Sequence, residues 1–252
     1  MKPLVGIIGG SGLTSISELE ILSQRVVRTP FGEASAPVVM GELSGQTVAF
    51  LARHGQGHTI PPHRVNYRAN ICALAEVGVK SIVAVAAVGG IGDAYDSGRI
   101  AIPDQIIDYT HGRQATFFDG STTGVTHVDF TSPYTEAMRR EIILSADRLG
   151  LDARNSATYA ATQGPRFETA AEIDRIERDG GHLVGMTGMP EAVLAREKGL
   201  DYATIALVVN PAAGRAVEEI SVEVIMTELD EGMKVVRRLL VECLPGVQRL
   251  VS

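Results

Sequence analysis

Cysteine is nearly absent. The 252 residues hold two, Cys72 and Cys243, far apart and each inside a helix-like apolar pattern. With no CxxC and no Cys/His cluster beside them, they exclude a disulfide framework and a zinc site. Positive charge is also short: 23 Lys and Arg stand against 30 Asp and Glu. The resulting formal charge of -7 argues against nucleic-acid or anionic-membrane partners, which need a net basic face. No apolar run reaches spanning length, and Met1-Lys2-Pro3-Leu4-Val5-Gly6 breaks into glycine before a signal-peptide apolar region can form. The expectation is a soluble cytoplasmic protein. Internal repeats, low-complexity segments, a convincing domain boundary, a metal cluster, a serine–histidine–acid motif and paired-carboxylate spacing are all missing. What is present is 45% hydrophobic content, enough for a substantial core in one large α/β domain or two small ones.

Several apolar runs end in small or polar loops. Leu4 to Ile8 reads as a buried strand running into Gly9-Gly10-Ser11-Gly12, where backbone N–H groups and the Ser11 hydroxyl can converge on an anion. A plain tight turn explains the loop equally well. The dinucleotide fingerprint fails, because Ser15 stands at the third glycine position. Val38-Val39-Met40 and Thr47 to Ala52 read as strands around a Ser44-Gly45-Gln46 turn. The second ends on Arg53-His54-Gly55, with His58, His63 and Arg64 close behind. An arginine fork beside an imidazole suits phosphate oxygens, whereas His58 and His63 read equally well as loop packing. Asn66 to Val77 has helical spacing. Ser81 to Val88 is a continuous apolar strand opening into Gly89-Gly90-Ile91-Gly92. Strands ending this way point to one site at one edge of a mostly parallel sheet.

Ile100 to Tyr109 reads as a strand pair, and Thr110 to Pro133 as a loop long enough for a lid or a subunit contact. Tyr134 to Leu149 is an amphipathic helix with Arg139, Arg140 and Glu141 assigned to its solvated face. Ala157 to Thr162 is a strand. The Glu168 that follows has a plain role available, complementing the dipole of helix 169–178. Ser221 to Leu244 is a last amphipathic helix, with Pro245 onward as a tail.

The chain is organised around the stretch from Gly185-Met186-Thr187-Gly188-Met189-Pro190-Glu191 to Val208-Val209-Asn210-Pro211. Met186 can lie against a sugar face, Thr187 offers a hydroxyl to an anion, and Asn210 both donates and accepts at a strand end. Anion, sugar and base contacts together suggest a nucleoside. Phosphorolysis of its N-glycosidic bond needs preorganised donors rather than a covalent nucleophile.

Five ordered motifs make this more specific: Gly9 to Leu13, Leu51 to Gly55, Val65 to Asn70, Gln163 to Thr169 and Gly185 to Glu191. Over residues 4 to 240 the chain resembles the trimeric purine nucleoside phosphorylases, and among them the methylthioadenosine phosphorylase branch. The resemblance implies a single α/β domain over residues 1–252, with a central mixed sheet flanked by helices, in a homotrimer. It implies phosphate held by Ser11, Arg53, His54 and Thr187, with the Ala87 backbone nearby. Met186 is placed at the ribose, and His127 is assigned to a neighbour's site. No metal is implied, and no cofactor beyond inorganic phosphate as co-substrate.

Departures from the branch bear on the substrate. It carries aspartates where this chain has Asn210 and Ala212, either side of Pro211. An amide can accept from N7–H and donate to O6, which favours a 6-oxopurine. Glu168 matches an acid that accepts from the N1–H of such bases. Val222 falls where the branch has an apolar residue against a 5′-methylthio group. The two ends together predict phosphorolysis of S-methyl-5′-thioinosine to hypoxanthine and 5-methylthioribose 1-phosphate, and the Val208 to Gly214 run is similar to that of enzymes with this activity. Alternatives are a general inosine/guanosine phosphorylase, a methylthioadenosine phosphorylase, a nucleoside-binding protein without turnover and, more distantly, a dinucleotide oxidoreductase.

Overall fold

The computed structural model describes residues 4–13, 16, 18–120, 124–216 and 222–251. Strands β1 (Leu4–Gly9), β2 (Glu20–Arg25), β3 (Arg28–Thr29), β4 (Gly32–Glu33), β5 (Val38–Leu43) and β6 (Gln46–Ala52) precede helix α1 (Tyr67–Glu76). Next, β7 (Val79–Gly90), β8 (Ile100–Ala101) and β9 (Gln105–Asp108) lead to α2 (Glu136–Arg148). β10 (Ala153–Arg154) and β11 (Thr158–Ala161) come before α3 (Ala170–Arg178), and β12 (Leu183–Gly185) before α4 (Gly188–Glu197). β13 (Asp201–Pro211) and α5 (Val222–Leu250) complete the order.

β7 is apolar almost throughout because both of its faces are covered. Strand alternation sends Ile82, Ala84, Ala86 and Val88 into one core with Ile71 and Leu74 of α1 and Leu194 of α4. Val83 and Val85 enter the opposite core with Met138 of α2 and Leu229, Met233 and Val236 of α5. The result is a mixed sheet between two helical layers.

Along one edge β7 pairs in parallel with β13 from Ser81 to Gly90. On its other edge the partner changes. β1 runs parallel to it as far as Ala84, and β12 takes over antiparallel at Gly89 and Gly90. β6, β5 and β2 extend the sheet beyond β1, while β11 and β9 extend it beyond β12. Residues 85–88 of β7 therefore face a fork between the two arms, and this fork positions the site.

Three expectations need correction. Arg139 is 6% exposed rather than solvated. Its guanidinium donates to the carbonyls of Pro103 (2.9 Å), Ile102 (3.2 Å) and Asn155 (2.5 Å) and pairs with Glu136, so α2 is pinned to the chain around β8. The chain after Pro245 is helix, not a tail. A proline inside a helix costs about 3 kcal/mol, but burying Leu244 and Val247 completely returns roughly 1.5–3 kcal/mol each. Finally, β8 and β9 are not paired with each other: β8 joins β13 and β10, and β9 joins β11.

Candidate active site

A cavity of about 790 Å³ opens at the fork, inside the range of roughly 300–1,000 Å³ usual for small-ligand sites. Ends of several strands supply its wall. Ser11 comes from the loop after β1, Arg53 and His54 from the end of β6, and Ala87 from the unpaired edge of β7. Thr187 follows β12 and caps α4 without using its hydroxyl on the helix. Ser11, Arg53, His54 and Thr187, read from the sequence as anion ligands, line the same cavity as Ala87, whose backbone the resemblance places nearby.

Arg53 is 1% exposed and fills the crotch of the fork. Its Nη1 donates at 2.9 Å to the carbonyl of Val85, the first β7 residue past the β1 ladder. Nε and Nη2 donate to the two carboxylate oxygens of Glu191 at 2.6 and 2.7 Å. Gly10 makes room for this, since a Cβ there would stand 2.7 Å from the Val85 oxygen and 2.9 Å from Arg53 Nη1. Burial works against the charged guanidinium, but the Glu191 carboxylate outweighs it and holds the group above its ordinary value. Three of the five guanidinium N–H groups are engaged, and two remain.

His54 accepts no charge here. Burial, followed by the neighbouring Arg53, pushes its imidazole down to about 4. A carbonyl only accepts, so Nδ1 carries the hydrogen that bonds Ile60 O at 2.8 Å, and Nε2 keeps its lone pair. With Arg53 neutralised by Glu191 and His54 uncharged, this end can hold an anion chiefly through directed N–H and O–H groups.

At the other end Asn210 sits where β13 bulges, opposite Gly89, and its Nδ2 donates to Pro211 O at 2.6 Å. Pro211 supplies only that acceptor and does not line the cavity, whereas Ala212 does. Glu168 also lines it, and accepts a 2.5 Å hydrogen bond from Thr162 Oγ1. The helix-dipole reading of Glu168 is not supported: it precedes the N-cap Thr169, and Glu172 completes the capping box of α3. Met186 lies on the wall beside Gly164, whose φ of +61° and absent side chain admit it, since a Cβ would meet its sulfur at 2.4 Å. The side chain of Val222 lies outside the described residues, but the same first turns of α5 present Ile225, Met226 and Leu229 to the cavity. His127 is exposed and stands apart from this lining.

Three contributors went unassigned from sequence. Glu191 was visible in its motif, yet nothing local marks it as the partner of an arginine 138 residues away. Tyr202 donates its hydroxyl to the same carboxylate at 2.8 Å, although it reads as an ordinary core residue of a strand. Arg113 lies in a loop without a pattern. Among the described residues no His/Cys/Asp/Glu group is arranged to hold a metal, and no helix is long and apolar enough to cross a membrane.

The forked α/β sheet thus gathers Ser11, Arg53, His54 and Thr187 with Asn210 and Glu168 around one cavity, the arrangement of a small-ligand enzyme site. Residues 4–245 match the Phosphorylase superfamily, and the chain belongs to that family. It is 49% identical over 238 residues to a probable S-methyl-5′-thioinosine phosphorylase of Pseudomonas syringae pv. tomato, covering 94% of this chain and 97% of that protein. It is 43% identical over 252 residues to a 6-oxopurine nucleoside phosphorylase of Pyrococcus furiosus, covering 98% and 94%. Among solved structures, methylthioadenosine phosphorylase from Schistosoma mansoni in complex with adenine superposes with a TM-score of 0.94 at 32% identity, covering 98% of this chain and 93% of that one.

Proposed function

We propose that the protein cleaves S-methyl-5′-thioinosine with inorganic phosphate, giving hypoxanthine and 5-methylthioribose 1-phosphate. A phosphate oxygen forms its bond to C1′ as the C1′–N9 bond breaks, and the bonding electron pair leaves with the base. Ser11, Arg53, Thr187 and the Ala87 backbone hold the phosphate oxygens, and the His54 Nε2 lone pair accepts from the phosphate P–OH, so the nucleophile is oriented without a covalent enzyme intermediate. The departing base takes up a proton from solvent at N7; Asn210 accepts from that N7–H with its oxygen and donates to O6 with its second amide hydrogen, which takes charge off the base. Glu168 accepts from N1–H, and Met186 lies against the sugar.

The observation carrying the substrate choice is that one cavity joins the Asn210–Glu168 pair to the apolar Ile225 and Met226 of α5. A carboxylate in place of Asn210 would repel O6, and an apolar wall suits a thioether while leaving a 5′-hydroxyl unpaired. The name of the Pseudomonas relative supports the same choice. The reading includes one nucleoside phosphorylase domain over residues 1–252, no cofactor besides the phosphate co-substrate, a cytoplasmic location, and a homotrimer in which His127 and Val222 complete the sugar end.

The test is phosphate-dependent release of free base from methylthioinosine, methylthioadenosine, inosine and guanosine, each with a control lacking phosphate. Preference for methylthioinosine is the expected result. Preference for methylthioadenosine overturns the base assignment, preference for inosine overturns the sugar assignment, and binding without turnover overturns the enzymatic reading.

A further inference from the structure

Arg113 has no task in the reaction just described, yet its side chain joins the two halves of the site. Its Nη1 donates to the carbonyls of Met186 (2.8 Å) and Met189 (2.7 Å), and its Nη2 to those of Gln163 (2.8 Å) and Thr162 (3.2 Å). Nε donates to Gln163 Oε1 at 3.2 Å, and Nη1 reaches the Tyr67 hydroxyl at 3.3 Å.

The location matters because the β11–β12 ladder ends at the pair Ala161 and Gly185. Beyond it one further main-chain bond, Thr162 N to Gly185 O at 2.8 Å, holds the two chains together. One chain then runs to Glu168, and the other carries Met186 and Thr187. Past the last ladder bond, the guanidinium takes over as the link between them. A planar fork can serve carbonyls on both sides at once, which a single ammonium on a flexible stem cannot do.

We infer that Arg113 is a positioning residue that fixes the base contact at Glu168 relative to the sugar and phosphate contacts at Met186 and Thr187. The inference rests on the phosphorolysis reading. Phosphate and base each bind within one half of the site, so losing the link leaves their separate affinities nearly intact. Turnover requires both halves in register, so turnover carries the cost.

The experiment compares native enzyme with R113K and Q163A, measuring kcat on methylthioinosine and the separate Kd values of inorganic phosphate and hypoxanthine. In R113K, kcat falls about 10²-fold while each Kd stays within about threefold. Q163A removes the acceptor that orients Nε without emptying the four carbonyl contacts, and lowers kcat in the same direction by about threefold to tenfold. A folded R113K with kcat near native overturns the inference, as does a loss confined to one ligand's Kd. Should R113K fail to fold, an unchanged kcat in Q163A overturns it. Native enzyme inactive on every nucleoside overturns the functional reading instead, and the inference with it.

Discussion

Arg53 and Glu191 form a two-pronged ion pair, 2.6 and 2.7 Å long, with side chains 1% and 0% exposed. A buried pair of this kind adds little net stability, but breaking it leaves an uncompensated charge. It also aims the guanidinium, because the Val85 carbonyl and the Glu191 carboxylate leave one orientation that satisfies both. In Glu191→Gln the counter-charge is gone, while the Tyr202 hydroxyl keeps an oxygen to donate to. Stability should fall by about 3 kcal/mol in phosphate-free buffer. Phosphate then becomes the anion available to Arg53, so it should raise Tm more in the variant than in the native protein. An equal or smaller rise, read by thermal unfolding with and without phosphate, would show that Arg53 does not face the anion.

The base contacts can be separated by substrate. Glu168→Ala removes the acceptor for N1–H, which a 6-oxopurine has and adenine lacks. An unpaired group of this kind is worth about 1–3 kcal/mol. The kcat/KM for methylthioinosine should drop roughly 10- to 100-fold, with that for methylthioadenosine little changed. Equal losses on both nucleosides would instead mark Glu168 as a structural partner of Thr162.

Asn210→Asp should move the preference the other way, toward 6-aminopurines. The Pro211 carbonyl, which now accepts from Asn210 Nδ2, would lose its donor, so some general loss is expected alongside the shift. The informative quantity is therefore the ratio of kcat/KM for methylthioadenosine to that for methylthioinosine, which should rise about tenfold or more. An unchanged ratio would remove Asn210 from base recognition.

Much of this arrangement was legible along the chain. Leu4 to Ile8 and Thr47 to Ala52 end in loops that carry Ser11, Arg53 and His54, Ser81 to Val88 itself contains Ala87, and the structure gathers all four residues at one cavity. Strands buried on both faces are marked by unbroken apolar runs, and ligand loops by the residues that interrupt them. The fork itself was not legible. It depends on β12, three residues long, replacing β1 along β7, and so short a strand has no period to detect. β2 escaped for a related reason: all six of its residues are exposed, so no alternation marks it. Arg139 was misplaced because helical spacing identifies an apolar stripe but says nothing of carbonyls waiting on a neighbouring segment.

His54 ties stability to pH. Its folded value of about 4 lies below the unfolded value of about 6.5. Between these limits the unfolded chain binds more protons, so stability rises with pH across that window. The contribution is complete above about pH 6.5, declines as pH falls, and is gone below about 4. It amounts to at most about 3 kcal/mol. In phosphate-free buffer, the stability difference between native protein and His54→Gln should shrink by up to that amount as pH falls from 7 to 4. A difference that stays flat would mean that the imidazole is not held neutral.

The sugar end should discriminate only moderately. An apolar wall gains little from a thioether beyond burial, and a hydrophobic pocket rejects a hydroxyl-bearing analogue by about 10²-fold at most. The native preference for methylthioinosine over inosine should accordingly lie at roughly 10- to 100-fold in kcat/KM. Ile225 lines the cavity from the second turn of α5, and Thr matches much of its shape while adding one donor and one acceptor. Ile225→Thr should therefore narrow the ratio about tenfold, with part of the change appearing as a gain on inosine because its 5′-hydroxyl acquires a partner. A ratio that falls only through loss on methylthioinosine would point to damaged packing. A ratio that does not move would place the 5′ group against some other part of the wall.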